Sequence, residues 1–133
     1  MNTIDQLVYI SRSLLEAETA STELNAIVEQ SSHHNRQHAI TGVLALIDGY
    51  FVQLLEGAPA ALDLLMLHLH FDTRHTDIDV VARQIVKGRS IPAWNMVISQ
   101  NQSEGSQGLQ QLVQSRSVDL SLWRSHLLEG LPG

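Results

Sequence analysis

Apolar positions along the chain fall into short alternating runs separated by stretches of helical spacing. Gln6-Leu7-Val8-Tyr9-Ile10-Ser11 is brief, β-branched and aromatic, and predicts a first strand. Leu14 to Ala20 is a connection rich in Glu and Ala. Ser21 or Thr22 can cap a helix there, and Glu23 suits the positive end of its dipole. Leu24, Ile27, Val28 and Ser31 then follow helical spacing, and the helix fades around Arg36 to Ala39. Ile40 to Ile47 predicts a second strand. Asp48-Gly49 is a two-residue turn signal, because a type I′ turn needs positive φ at both central positions. Tyr50 to Glu56 returns as a third strand, completing an antiparallel hairpin. Gly57-Ala58-Pro59 breaks it, and Pro59 suits the first turn of a helix. Leu62, Leu65, Met66 and Leu69 carry that second helix to about Asp72. Ile78 to Val86 and Ala93 to Ile98 predict a fourth and a fifth strand, with a loop from Lys87 to Pro92 between them.

The order β-α-β-β-α-β-β predicts an α+β, ferredoxin-like sheet with two helices on one face and one added strand. Ser99 to Ser106 is polar and marks a boundary. Beyond it, Leu109, Leu112 and Val113, then Leu120, Trp123, Leu127 and Leu128, predict two short C-terminal helices. These helices either cover the free face of the sheet or contact other chains. Trp123 fits packing on the sheet and an oligomer contact equally well.

At 133 residues and 44% hydrophobic content the chain suits one compact domain with a real core. Its net charge of −6 argues against binding a nucleic-acid backbone. No apolar stretch approaches the ~20 residues that span a bilayer, and no signal peptide is visible, so the expectation is a cytoplasmic protein with no membrane role. The chain has no cysteine, which removes disulfides, thiolate catalysis and thiolate metal sites.

Within the third strand, Phe51, Gln53 and Leu55 share one side. An amide buried between two large apolar neighbours costs about 1–3 kcal/mol if it finds no partner. Gln53 is therefore either bonded within the core or turned to a polar ligand over the sheet. Tyr9, central in the first strand, can stand beside it beneath the two helices. Asn35 at the tail of the first helix, and Asp72 and Arg74 at the tail of the second, can converge above them. Those donors and acceptors suit the edge of a flat heterocycle, with Ile27 and Leu69 against its faces.

Other candidate chemistry is thinner. Among the seven histidines, His34 and His38 stand at i and i+4 and can share a helix face, but a zinc site needs a third and fourth ligand and partners that orient them, so no metal is expected. His68 and His70 point about 200° apart on an ideal helix. No Gly-x-Ser-x-Gly elbow and no glycine-rich phosphate loop is present.

The sequence resembles the BLUF family, sensors of blue light using FAD. The resemblance is carried by Leu7-Val8-Tyr9-Ile10-Ser11-Arg12-Ser13, by Asn35-x4-Ile40-Thr41-Gly42-Val43-Leu44, and by Asp48-Gly49-Tyr50-Phe51-Val52-Gln53-Leu54-Leu55-Glu56-Gly57. Asp72-x-Arg74-His75 and Trp94-x-Met96 complete it. It covers roughly the first hundred residues, which implies a flavin-binding domain over 1–100 and a C-terminal helical extension over 101–133. It implies a photoreceptor rather than an enzyme, with FAD as cofactor. It gives Tyr9 the role of electron and proton donor to the excited flavin, and Gln53 that of a bridge between Tyr9 and the ring's N5/O4 side. Asn35 holds the pyrimidine edge, helped by His34, Asp72 and Arg74, with Ser31 a neighbour of the same edge and His75 among the cofactor-binding residues. Trp94 and Met96 are the switch residues near Gln53, and their i, i+2 spacing on a fifth strand predicts one shared face. Ser32 departs from the Gln or Arg that many members carry there, which bears on contacts to the ribityl or phosphate part. The resemblance to short stand-alone members further implies a homo-oligomer and a downstream protein partner. Two other readings stand beside it: a small ferredoxin-like hydrolase, for which Arg12 with Asn35 or Asn95 is a loose match, and an interaction module without a ligand.

Overall fold

The computed structural model describes residues 3–99, 107–129 and 131. Its elements follow the order β1 (Ile4–Ser13), α1 (Ala20–Gln37), β2 (Thr41–Ile47), β3 (Tyr50–Gly57), α2 (Pro59–His70), β4 (His75–Val86), β5 (Val97–Ile98), α3 (Gln107–Ser115) and α4 (Leu120–Leu128). The strands form one sheet in the order β4-β1-β3-β2-β5. β1 is antiparallel to both β3 and β4, β2 is antiparallel to β3, and β5 runs parallel to β2. This is the expected α+β, ferredoxin-like sheet.

Two apolar layers sandwich the sheet. On one face Leu7, Tyr9, Leu44, Phe51 and Leu55 pack against Leu24 and Ile27 of α1 and Leu62 and Met66 of α2. On the other face Val8, Ile10, Val43, Val52 and Leu54 pack against Leu109, Leu112 and Val113 of α3 and Leu120, Trp123 and Leu127 of α4. The C-terminal helices thus cover the sheet's second face. Trp123 is fully buried there, its indole N–H donating to the Ser117 carbonyl at 2.8 Å. Its apolar area is used within the chain and offers nothing to an oligomer contact. Residues 100–106, most of the polar boundary at 99–106, lie outside the described residues. No helix among the described residues is long and apolar enough to cross a membrane.

The β2–β3 hairpin follows its turn chemistry. Asp48 and Gly49 both take positive φ, 50° and 82°, as a type I′ turn requires. That turn pairs Ile47 with Tyr50 and, three steps down the ladder, Leu44 with Gln53.

Three boundaries differ from the sequence pattern. α1 starts at Ala20 behind Thr19, ahead of both expected caps, Ser21 and Thr22. β1 and β4 are longer than their apolar runs, because β1 is paired on both edges and its polar end residues are bonded. Asp5, for example, accepts from Arg83 of β4 at 2.8 Å.

The third difference matters most for the site. β5 is only Val97–Ile98, not Ala93 to Ile98. Residues 91–96 are irregular and are held by side chains instead of a ladder. Asn35 Nδ2 donates to the Asn95 carbonyl at 2.7 Å, and Asn95 Nδ2 donates to the Ile40 carbonyl at 3.2 Å. Gly42 N–H donates to the Trp94 carbonyl at 2.8 Å. Gly42 packs closely: a Cβ there would stand 2.9 Å from Leu55 Cδ2, 3.0 Å from Met96 Cε and 3.1 Å from the Leu54 carbonyl oxygen. Strand alternation does not govern an irregular segment. Trp94 and Met96 consequently fall in different layers, and the expectation of one shared face is corrected. Met96 is buried with the α1/α2 layer, whereas Trp94 packs against the α3/α4 layer.

Candidate functional site

Tyr9 and Gln53 are direct partners in the β1–β3 ladder, and Leu44 stands opposite Gln53 on its other side. Directly opposed residues share a face, with Cβ atoms about 4.5–5.5 Å apart. That face lies under α1 and α2. There a narrow pocket, with about 30 Å³ open to a water-sized molecule, is lined by Tyr9, Leu44, Phe51 and Gln53 from the sheet and by Ile27 and Ser31 from α1. Leu69 at the end of α2, Asp72 and Arg74 in the following loop, and His75 at the start of β4 close it. Eight of the residues named from sequence therefore meet around one cavity: Tyr9, Ile27, Ser31, Gln53, Leu69, Asp72, Arg74 and His75.

The polar groups of this pocket are unequally satisfied. Gln53 is buried, and its amide nitrogen donates to Met96 Sδ at 3.7 Å. A thioether sulfur only accepts, so this contact fixes which end of the amide is the donor. Gln53 Oε1 is left buried with no partner. Outside the pocket, Asn35 repeats the pattern, with Nδ2 bound to the Asn95 carbonyl and Oδ1 buried without a partner. Among the described residues the only other buried side-chain oxygen in this state is Asp5 Oδ1. An orphaned acceptor forfeits about 1–3 kcal/mol, so a group bringing an N–H or O–H donor to Gln53 Oε1 fits here. A flat heterocycle with both carbonyl and ring N–H edges is such a group.

Tyr9 is buried. Desolvation, with the nearby negative charge of Asp72 second, pushes its phenol above the ordinary value, so the O–H keeps its proton. Arg74 grips Asp72 with two bonds, Nε–Oδ1 at 2.9 Å and Nη2–Oδ2 at 2.7 Å, and its Nη1 donates to Gln30 of α1 at 2.9 Å. The hydrogen bonds from Arg74 hold Asp72 below the usual carboxylate range, and the same pairing raises Arg74. This fork ties the loop after α2 to α1 at the pocket's polar rim.

Both ring nitrogens of His75 are engaged by the protein. Nε2 lies 2.8 Å from the Leu69 carbonyl, which only accepts, so Nε2 carries hydrogen; Nδ1 lies 2.7 Å from Ser11 Oγ. Its ring stands edge-on to Tyr9 and to Phe51, each at 6.2 Å. His75 thus locks the wall of the pocket and fixes the Tyr9 ring.

His34 and Asn35 do not line the cavity. His34 packs against His38, its i+4 neighbour, at 4.4 Å between ring centroids, and edge-on to His68 of α2 at 5.8 Å. Asn35 acts through residues 95–96, behind Gln53. Among the described residues no group of three or more His, Cys, Asp or Glu could hold a metal ion. Arg12, which a hydrolase would need at an anion-binding loop, is exposed and pairs with Asp77 at 3.7 Å. Sequence reasoning missed Leu44, Ser11 and Gln30. Only Leu44 was within reach, since the two-residue turn fixes its register opposite Gln53.

The sequence model of the BLUF family, described as sensors of blue-light using FAD, matches residues 4–97. A photoactivated adenylate cyclase subunit beta from Euglena longa is 35% identical over 96 residues, which cover 71% of this chain and 11% of that protein. The chain thus spans about a ninth of the length of that curated relative. The dark-state structure of BlrB, a BLUF protein, superposes with a TM-score of 0.74 at 27% identity, covering 96% of this chain and 93% of that one. BlrP1 of Klebsiella pneumoniae, described with FMN and cyclic diGMP, shares the fold at a TM-score of 0.70 and 24% identity, over 96% of this chain and 35% of that one.

Proposed function

The chain belongs to the BLUF family of flavin-binding blue-light sensors, and from that premise we propose that it binds FAD in the Tyr9–Gln53 pocket and converts absorbed light into a rearrangement of Gln53. The observation that carries this reading is the buried, unpartnered Oε1 of Gln53 beside the ladder-paired Tyr9. A flavin, when bound and excited, supplies a strong local oxidant and an edge of acceptors and donors. Tyr9, kept protonated by burial, can give an electron and its phenolic proton together. Gln53 is the group that stores the outcome. Its amide offers a donor and an acceptor at one end, so rotation or tautomerisation exchanges what it presents to Met96 and to the ring. Asp72 and Arg74 are suited to orient the polar edge of the ring, with Ser31 beside it and Ile27 and Leu69 against its faces.

In the lit arrangement Gln53 no longer donates to Met96, which frees residues 91–96 to shift. These residues sit between the pocket and the α3/α4 layer, so those helices form the output surface. The Euglena longa relative is a photoactivated adenylate cyclase subunit beta. By analogy, the output here goes to an effector protein, with the sensor working as a homo-oligomer.

The test is optical. Purified protein should be yellow, and the pigment released on denaturation should separate as FAD and not FMN. Blue light should shift the flavin absorption to longer wavelength. Tyr9→Phe should keep the colour and lose the shift. A chain that stays colourless in excess flavin, or a normal shift in Tyr9→Phe, overturns the reading.

A further inference from the structure

On the sheet face opposite the pocket, a buried polar chain crosses an otherwise apolar layer. Glu56 lies on β3 three residues beyond Gln53, and its side chain is fully buried. Its Oε2 accepts from Ser90 N–H at 2.8 Å and from Gln6 Nε2 at 2.6 Å, and its Oε1 accepts from Ile91 N–H at 2.8 Å. Gln6, also fully buried, is the ladder partner of Glu56 on β1. Its Oε1 accepts from Arg124 Nη1 of α4 at 2.6 Å. Arg89 reinforces the anchor by donating to the Glu56 carbonyl at 3.1 Å.

The irregular segment 91–96 is therefore held at both ends from the same strand. Glu56 grips its start at Ser90 and Ile91, and Gln53 grips its end at Met96. By hydrogen bonds the Glu56 anchor reaches α4 through Gln6 and Arg124, beside the apolar packing of Ile91 and Trp94 in the same layer. Fully bonded networks of this kind have few alternative arrangements, so a shift at one member is felt by the others. A buried carboxylate in an apolar layer is otherwise a poor way to gain stability.

We infer that Glu56 is a positioning residue for the Gln53–Met96 contact, and that Glu56, Gln6 and Arg124 form the strut that passes movement of residues 91–96 to α4. This rests on the light-sensor reading above. When Gln53 releases Met96, Glu56 becomes the pivot of the segment, and its pull is transmitted through Gln6 to Arg124.

Three variants in the full chain test the strut, read by the recovery time of the flavin red shift and by light-minus-dark hydrogen exchange over 120–128. Glu56→Gln puts an amide N–H₂ against N–H donors and breaks at least one of the anchoring bonds. It should still form the red shift, change its dark recovery by about threefold or more, and lose the light-dependent exchange at α4. Arg124→Met leaves Glu56 and its loop bonds intact. It should keep wild-type spectra and recovery but lose the α4 response. Arg124→Lys, which keeps a donor for Gln6 Oε1, should restore that response. The inference is overturned if α4 exchange in the wild type is the same in light and dark, or if Arg124→Met responds as the wild type does. Unchanged recovery in Glu56→Gln would remove Glu56 as the positioning residue. Should Glu56→Gln fail to fold, the Arg124 pair decides alone. Absence of any red shift in the wild type would instead sink the sensor reading itself.

Discussion

Tyr9 and Gln53 occupy one rung of the β1–β3 ladder and face the same side of the sheet, with Met96 on the far side of the Gln53 amide. The rung fixes the spacing of the two Cβ atoms by backbone hydrogen bonds, so phenol and amide start from adjacent positions on one face. A two-group device that exchanges protons and hydrogen bonds gains from such fixed spacing.

Gln53→Leu follows directly from this arrangement. In flavin-free protein it removes an orphaned acceptor and a weak N–H···S contact from a buried site. Stability in urea should stay level or rise, by up to about 1–3 kcal/mol. With flavin present the variant should bind the pigment and show no red shift. A destabilisation of similar size would mean that the Oε1 atom has a partner in solution and that the amide is a structural core group.

Gly42→Ala probes the same contact from the other side. The added methyl meets Leu55 Cδ2 at 2.9 Å and Met96 Cε at 3.0 Å, so something must move. Overpacking of this sort costs about 1–3 kcal/mol. Leu55 is fully buried in the core, so the Met96 thioether, at the end of an irregular segment, is the softer neighbour. The expected result is a lower urea midpoint together with a changed dark-state flavin spectrum and recovery time. A stability loss without any spectral change would show that Leu55, not Met96, yields.

The central hairpin was legible because period-two apolar patterning and the Asp48-Gly49 turn fix register without reference to the rest of the molecule. Once Leu44 is opposite Gln53 and strands one and three are neighbours, most of the pocket follows. The stretch from 93 to 96 was not legible. It reads as a strand by composition, yet its conformation is set by Asn35 and Asn95, whose partners lie 60 and 55 residues away. Trp94 and Met96 part company for that reason. The roles of Ser11 and Gln30 were hidden in the same way, since each is defined by a partner remote in sequence. His34 shows the converse case: its i, i+4 relation to His38 was visible, but its turn toward His68 depends on how α1 and α2 pack.

The C-terminal helices should be stability elements of the whole sheet. Trp123→Ala removes the largest fully buried side chain of the second layer and should cost about 3–5 kcal/mol. Asp119 caps α4 by accepting from Ser121 N–H at 3.0 Å and Leu122 N–H at 3.3 Å, so Asp119→Ala should cost about 1 kcal/mol. Both are read as shifts in the urea midpoint, and the larger effect must belong to Trp123. A Trp123→Ala variant as stable as the wild type would mean that α4 does not dock on the sheet in solution.

Acid should weaken the fold in two separate windows. Burial, and then the neighbouring His38, His68 and His33, hold His34 below its ordinary value of 6.5. The unfolded chain therefore binds this proton more readily than the folded one, and stability declines as pH falls below about 6.5. Asp72 is held below its ordinary 3.8, chiefly by its hydrogen bond from Arg74. Its contribution is complete above that ordinary value and is lost only as pH falls through the lower folded-state value. Urea midpoints measured from pH 7.5 down to 3 should show a first decline near the histidine range and a second below about 4. His34→Gln should flatten the first and leave the second in place. Asp72→Asn should remove the second alone. If the first decline survives in His34→Gln, the histidines between α1 and α2 do not set the acid response there.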